Sequence, residues 1–132
     1  YANPRLKNGP KGEHLTVRLG DETIKFIETN CDNPFLAYLS FYSVHTPLMA
    51  PSKMVEKYKT KIKHLGLDEQ TEFALEEQVH PGGKDRKVRI LQKHATYAAM
   101  IESVDNQVGK VINKLKELNI DQTDIHYTCS SS

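Results

Sequence analysis

Phe35-Leu36-Ala37-Tyr38-Leu39-Ser40-Phe41-Tyr42 is apolar or aromatic at every position but Ser40, and it leaves the chain few choices of architecture. Eight residues is strand length rather than long-helix length, and a strand apolar on both faces must be covered on both, as in parallel sheets flanked by helices. Asn33-Pro34 breaks the chain before the run, and Pro47 blocks its continuation. The run is therefore expected to be a buried core strand. Its end delivers Ser43-Val44-His45-Thr46-Pro47. In open α/β sheets, loops leaving strand C-termini are where ligands bind, so His45 is expected just beyond the strand, at a favoured position.

The flanking sequence suggests how such a strand is reached and covered. Residues 1–20 mix Pro4, Gly9, Pro10 and Gly12 with lysines without periodicity, and read as an irregular lead-in. Residues 21–58 read as helix, strand, loop and helix: Asp21 as N-cap before Ile24, Phe26 and Ile27, a stop at Asn30 to Pro34, then Pro51 in the first turn of a short helix through Val55 and Tyr58. Residues 59–86 are highly charged, contain His80-Pro81-Gly82-Gly83, and read as a surface excursion. Residues 87–132 read as a long helix and the start of a strand. From Leu91 to Leu118 apolar positions recur at spacings of three and four, so Ile101, Val104, Val108, Val111 and Leu115 are expected on one face, turned toward the strand. Asn119 is expected to close the helix, with a strand over Thr123 to Thr128.

Composition narrows the functional classes. With 132 residues and 38% hydrophobic content, the chain holds one domain's worth of polypeptide or less. Eighteen Lys and Arg face 17 Asp and Glu, dispersed along the chain, so there is no electrostatic reason to expect a nucleic acid or an anionic membrane as partner. No run approaches the roughly 18 apolar residues of a membrane span, and Tyr1-Ala2-Asn3-Pro4-Arg5 is not built like a signal peptide. Cys31 and Cys129 suit neither a zinc site nor a disulfide framework and are expected to be free thiols.

Two blocks resemble the sulfatase family of the arylsulfatase type: Asn33 through Pro51, containing His45-Thr46-Pro47, and Tyr97-Ala98-Ala99-Met100-Ile101-Glu102-Ser103-Val104-Asp105-Asn106-Gln107-Val108-Gly109-Lys110-Val111. Leu15 to Glu22 is similar to the segment leading into the family's preceding helix, and the resemblance covers most of the chain outside about 59–86. It implies an α/β fold of the alkaline phosphatase superfamily. The chain is then expected to be a central part of the catalytic domain: a partial sandwich with a few mostly parallel strands packed by helices. It further implies hydrolysis of sulfate esters on a small molecule or glycan, a formylglycine nucleophile, a calcium ion, and a secreted, periplasmic or lysosomal setting for the parent enzyme.

The same resemblance implies that His45 contacts the sulfate and the leaving-group oxygen, where a protonated imidazole acts as general acid. Without it, a histidine at this place can equally well cap a strand end. The family's Cys/Ser-x-Pro-x-Arg motif is absent: Cys31-Asp32-Asn33-Pro34-Phe35 has its proline one place late and no arginine. Where the family reads Thr-Ser-Asp-Asn-Gly with metal-binding Asp and Asn, this chain reads Thr128-Cys129-Ser130-Ser131-Ser132, and neutral hydroxyls are poor ligands for a hard cation. No residue is therefore assigned to metal or cofactor binding, tight calcium binding is not expected, and the isolated chain is expected to be inactive.

The remaining candidates carry no assigned chemistry. His94 is expected as a packed core residue on the long helix, and His14, His64 and His80 lie in polar surroundings. Glu102 and Asp105, three apart, read as a helix-surface or interhelix hydrogen-bonding pair. Tyr38, Phe41 and Tyr42 are expected in the core, and Thr46 and Pro47 as residues that shape the loop. Two other functions stay open: a phosphodiesterase or phosphonate hydrolase of the same superfamily, and a truncated, non-catalytic protein.

Overall fold

The computed structural model describes residue 7, residues 9–77 and residues 83–122. The expected strand over Thr123 to Thr128, Cys129, the terminal serines and His80-Pro81-Gly82 lie outside the described residues. In chain order the elements are α1 (Leu15–Asn30), α2 (Ser52–His64), β1 (Phe73–Leu75), β2 (Lys87–Arg89) and α3 (Ala95–Glu117). The α/β class expected from the sequence holds. The strands, however, form a two-stranded antiparallel sheet, with Phe73 opposite Arg89, Ala74 opposite Val88 and Leu75 opposite Lys87, where mostly parallel strands were expected. Two compact units are present, one made of the described residues up to His45 and from Ile101 on, the other of Thr46–Met100.

Helix α1 begins six residues before Asp21, so the expected N-cap lies inside a helix and residues 15–20 are not irregular. Thr16, Gly20 and Ile27 are its buried residues. Their spacings of four and seven put them on one stripe, and burial of that stripe outweighs the low helix propensity of Thr16, Val17 and Gly20. Arg18 adds local support through ion pairs to Glu13 at 2.9 Å and Glu22 at 2.8 Å. Those hydrogen bonds, first to Glu13 and then to Glu22, raise the pKa of the guanidinium above its ordinary value. The stop at Asn30 is as expected.

Within the first unit, α1 lies along the C-terminal half of α3. A Cβ at Gly20 would fall 2.4 Å from Gln107 Oε1, Asp21 pairs with Lys110 at 3.5 Å, and Glu28 pairs with Lys114 at 3.0 Å. Successive contacts climb both helices in the same direction. On α3 the buried residues are Ala99, Met100, Ser103, Gln107 and Leu115, whereas Ile101 and Val108 are exposed. From Met100 to Gln107 the buried line is thus turned by about one residue from the expected apolar stripe, whereas Leu115 is buried as expected. Gln107 is buried on this line because Gly20, lacking a side chain, leaves space for it. The expected helix is otherwise found, starting at Ala95 rather than Leu91.

Both later helices end alike. Gly66, at φ +62°, follows α2, with Gly66 N–H donating to Lys63 O and Leu67 N–H to Ile62 O. Asn119, at φ 56°, follows α3, with its N–H on Lys116 O and that of Ile120 on Leu115 O. These are left-handed C-terminal caps that satisfy otherwise orphaned carbonyls, and at Asn119 the cap confirms the stop expected there. Helix α2 runs beyond Tyr58 to His64, and β1 and β2 sit in or beside the stretch expected to be excursion. Cation–π contact of Arg89 over Phe73 at 4.6 Å and an Arg89–Glu72 ion pair hold that hairpin.

The largest departure concerns residues 35–42. No strand forms there among the described residues, and the run is mostly exposed, with Leu36 and Tyr38 each at 90%. A strand is a property of a pair: its N–H and C=O groups need a neighbouring backbone, and none of the described residues supplies one. Phe35 instead meets the edge of Phe26 from α1 at 5.7 Å, with both rings partly exposed.

Candidate functional site

His45 lies on the turn that leaves this extended run. Its side chain is exposed, its backbone N–H donates to Tyr42 O at 3.0 Å, and its ring stands 4.8 Å from the Tyr42 ring at 41°. The sequence expectation therefore holds in placing His45 on a loop just past the run, although the run is not a strand. Tyr38 and Tyr42, expected in the core, are exposed, and Tyr42 is a side-chain neighbour of the histidine instead. Ser43, two residues before His45, is half-buried and shares a hydrogen bond of 2.7 Å with the hydroxyl of buried Thr16 on α1. The peptide bonds Ser43–Val44 and Thr46–Pro47 are both cis.

An exposed imidazole on a turn anchored from behind can exchange a proton with a group arriving from solvent. The Thr16–Ser43 pair was not foreseen. Its members are 27 positions apart, and neither carries a periodicity or motif signal that could have joined them.

The other histidines do different work. His94, expected as core, is half-buried and caps α3: its Nδ1 accepts the Tyr97 N–H at 3.2 Å and its carbonyl accepts the Ala98 N–H at 3.1 Å. An imidazole nitrogen here replaces the usual Ser, Thr, Asp or Asn oxygen. Glu22 is drawn toward its charged form, with its carboxyl held below the ordinary glutamate value by hydrogen bonds from Lys25 and then Arg18. Glu102 is half-buried while Asp105 is exposed, so the two are not alike in setting. Cys31 is a free thiol at the end of α1.

Among the described residues, concavities lie away from His45. One, of about 390 Å³, runs between α1 (Leu19, Glu22, Thr23, Phe26) and Ala37–Ser40. Another, of about 250 Å³, is lined by α2, Leu67 and the segment from Gln92 to Ala98. Among the described residues no three His, Cys, Asp or Glu side chains gather as metal ligands would.

A family model described as Sulfatase matches residues 1–128, which span both blocks and the His45 turn. The chain belongs to the sulfatase family. A sulfatase of Formosa agariphila is 34% identical to it over 122 residues, covering 90% of this chain and 17% of that protein. The uncharacterized sulfatase YidJ of Escherichia coli is 30% identical over 122 residues, 84% of this chain and 24% of its own length. Human steryl-sulfatase is 28% identical over 117 residues, 88% of this chain and 14% of its own length. This sulfatase chain thus spans between 14 and 24% of the length of these curated relatives. Among its described residues no helix is long and apolar enough to cross a membrane.

Proposed function

We propose that this chain is a central part of the catalytic domain of a sulfuric ester hydrolase, and that His45 is the acid that assists departure of the alcohol or phenol. The observation that carries the reading is the sulfatase match across the His45 turn, together with exposure of the imidazole there. Cleavage breaks the bond between sulfur and the ester oxygen while a nucleophile attacks sulfur. The electron pair of the broken bond stays on that oxygen, and the His45 ring N–H supplies the proton it needs. General-acid assistance of this kind is worth roughly 10²–10⁴ in rate.

The rest of the chemistry is assigned elsewhere. The family's formylglycine motif is absent from these 132 residues, so the nucleophile is not one of them. Since proximity makes an acid effective, His45 without a held sulfate group contributes nothing, and the isolated chain neither turns over a sulfate ester nor takes up calcium tightly. The substrate class is a sulfated small molecule or glycan.

A graft tests the role of His45. Residues 33–51 of this chain replace the matching stretch of the Formosa agariphila sulfatase, and inorganic sulfate released from that enzyme's ester substrate is followed. The graft is expected to turn over, and His45→Ala within it to lose about 10²-fold or more. A His45→Ala graft within about threefold of its parent would remove the acid role.

A further inference from the structure

We infer that the Thr16–Ser43 hydroxyl pair is a latch that positions the His45 turn, making Thr16 and Ser43 positioning residues for the imidazole; the functional meaning of the latch rests on the acid role proposed for His45. Three contacts define it. Thr16 lies on the buried stripe of α1, and its Oγ1 is 2.7 Å from Ser43 Oγ. One residue earlier in the chain, Tyr42 O accepts the His45 N–H at 3.0 Å, closing the turn around Ser43 and Val44. The Tyr42 ring then stands 4.8 Å from the imidazole. The hydroxyl pair joins this turn to α1, so it ties the turn's backbone to a rigid helix while both rings remain at the surface.

Residues 35–42 form no strand among the described residues, so the turn is not held at the end of a sheet. Thr16 is fixed by its place in a 16-residue helix and by burial, so its hydroxyl has few positions available. A hydrogen bond from such a donor or acceptor orients its partner at small entropic cost, because one side is already immobile. Positioning within a fraction of an ångström is what a proton-transferring group requires, which is why a contact distant from the ring matters to it.

The test uses the 132-residue chain, with His45 ring signals assigned by comparison with His45→Gln. Ring-current displacement of the imidazole protons by Tyr42 and exchange of the His45 amide are read in wild type, Thr16→Val, Thr16→Ser and Ser43→Ala. Thr16→Val keeps shape and removes the hydroxyl, and Thr16→Ser restores it. The expected result is loss of the displacement and exchange about threefold to tenfold faster at the His45 amide in Thr16→Val and Ser43→Ala. Thr16→Ser should match wild type, and amides of Ile27 and Leu115 should report an unchanged core. Unchanged ring signals and His45 exchange in both hydroxyl-deleted variants would overturn the latch, as would loss confined to a general drop that Ile27 and Leu115 share.

The graft in the Formosa agariphila sulfatase separates the latch from the acid role. Ser43→Ala lies within the grafted block, and its turnover is compared with that of His45→Ala. If the His45→Ala graft is silent on rate while the ring displacement in the chain obeys the hydroxyl pair, the latch stands and the acid role falls. If His45→Ala costs rate and Ser43→Ala lowers kcat with little change in KM, both stand.

Discussion

Two glycines in helices should answer the same substitution with opposite signs. At Gly20 a Cβ would sit 2.4 Å from Gln107 Oε1, 2.9 Å from Gln107 Cβ and 3.0 Å from Gln107 Cδ, whereas at Gly109 nothing lies within 4 Å. Replacing a helical glycine by alanine gains roughly 0.8–1.0 kcal/mol of backbone propensity. That gain stands alone at Gly109, so Gly109→Ala is expected to stabilise by about that amount. At Gly20 it is opposed by overpacking, which costs about 1–3 kcal/mol. The flexible amide of Gln107 can swing aside, but its Cβ is fixed to the α3 backbone, so the helices must separate. Gly20→Ala is therefore expected to destabilise by roughly 1 kcal/mol net, at the centre of the range left by those two terms. Urea unfolding gives both numbers from midpoints at constant slope. Gly20→Ala and Gln107→Ala should be coupled by about 0.5 kcal/mol or more in a double-mutant cycle. A Gly20→Ala protein as stable as Gly109→Ala would refute the close approach of α1 to α3.

Further outcomes follow from the caps, the charges and the missing parts of the chemistry. His94→Ala should cost roughly 1 kcal/mol by removing the acceptor for the Tyr97 N–H, and His94→Asn should recover most of it, as read by urea midpoints. Glu22 has a folded pKa below its ordinary value, through Lys25 first and Arg18 second, so its contribution is present above the ordinary glutamate range and is lost as pH falls through the depressed value. Wild type and Glu22→Gln should accordingly differ in urea midpoint near neutrality and converge in acid; a gap that widens in acid would reverse the sign. The purified chain should release no phenol from nitrophenyl sulfate above buffer, with or without calcium, and calorimetry should show no saturable calcium uptake. Metal-dependent turnover that survives His45→Ala would contradict the division of labour proposed above.

Local signals were legible in the sequence wherever the deciding physics was local. The stop at Asn30, the start after Pro51, the cap at Asn119 and the long helix over most of 91–118 all rest on backbone preferences and on periodicity within one segment. The position of His45 on a turn was equally legible, since Ser43 and Pro47 mark it within five residues. The sulfatase identity was carried by residue order in two blocks and required no geometry. The tertiary structure decided matters that depend on a second segment. An apolar run becomes a strand only when another backbone pairs with it, so Phe35–Tyr42 stays extended and exposed. Helix α1 reaches back to Leu15 because its Thr16–Gly20–Ile27 stripe is buried, a gain absent from the propensities of those residues. Where α3 meets Gly20 the buried residue is Gln107 rather than its apolar neighbour Val108, and the hydroxyl contact behind His45 joins residues 27 apart. Periodicity names which residues can share a face; only the packed neighbour selects which face is used.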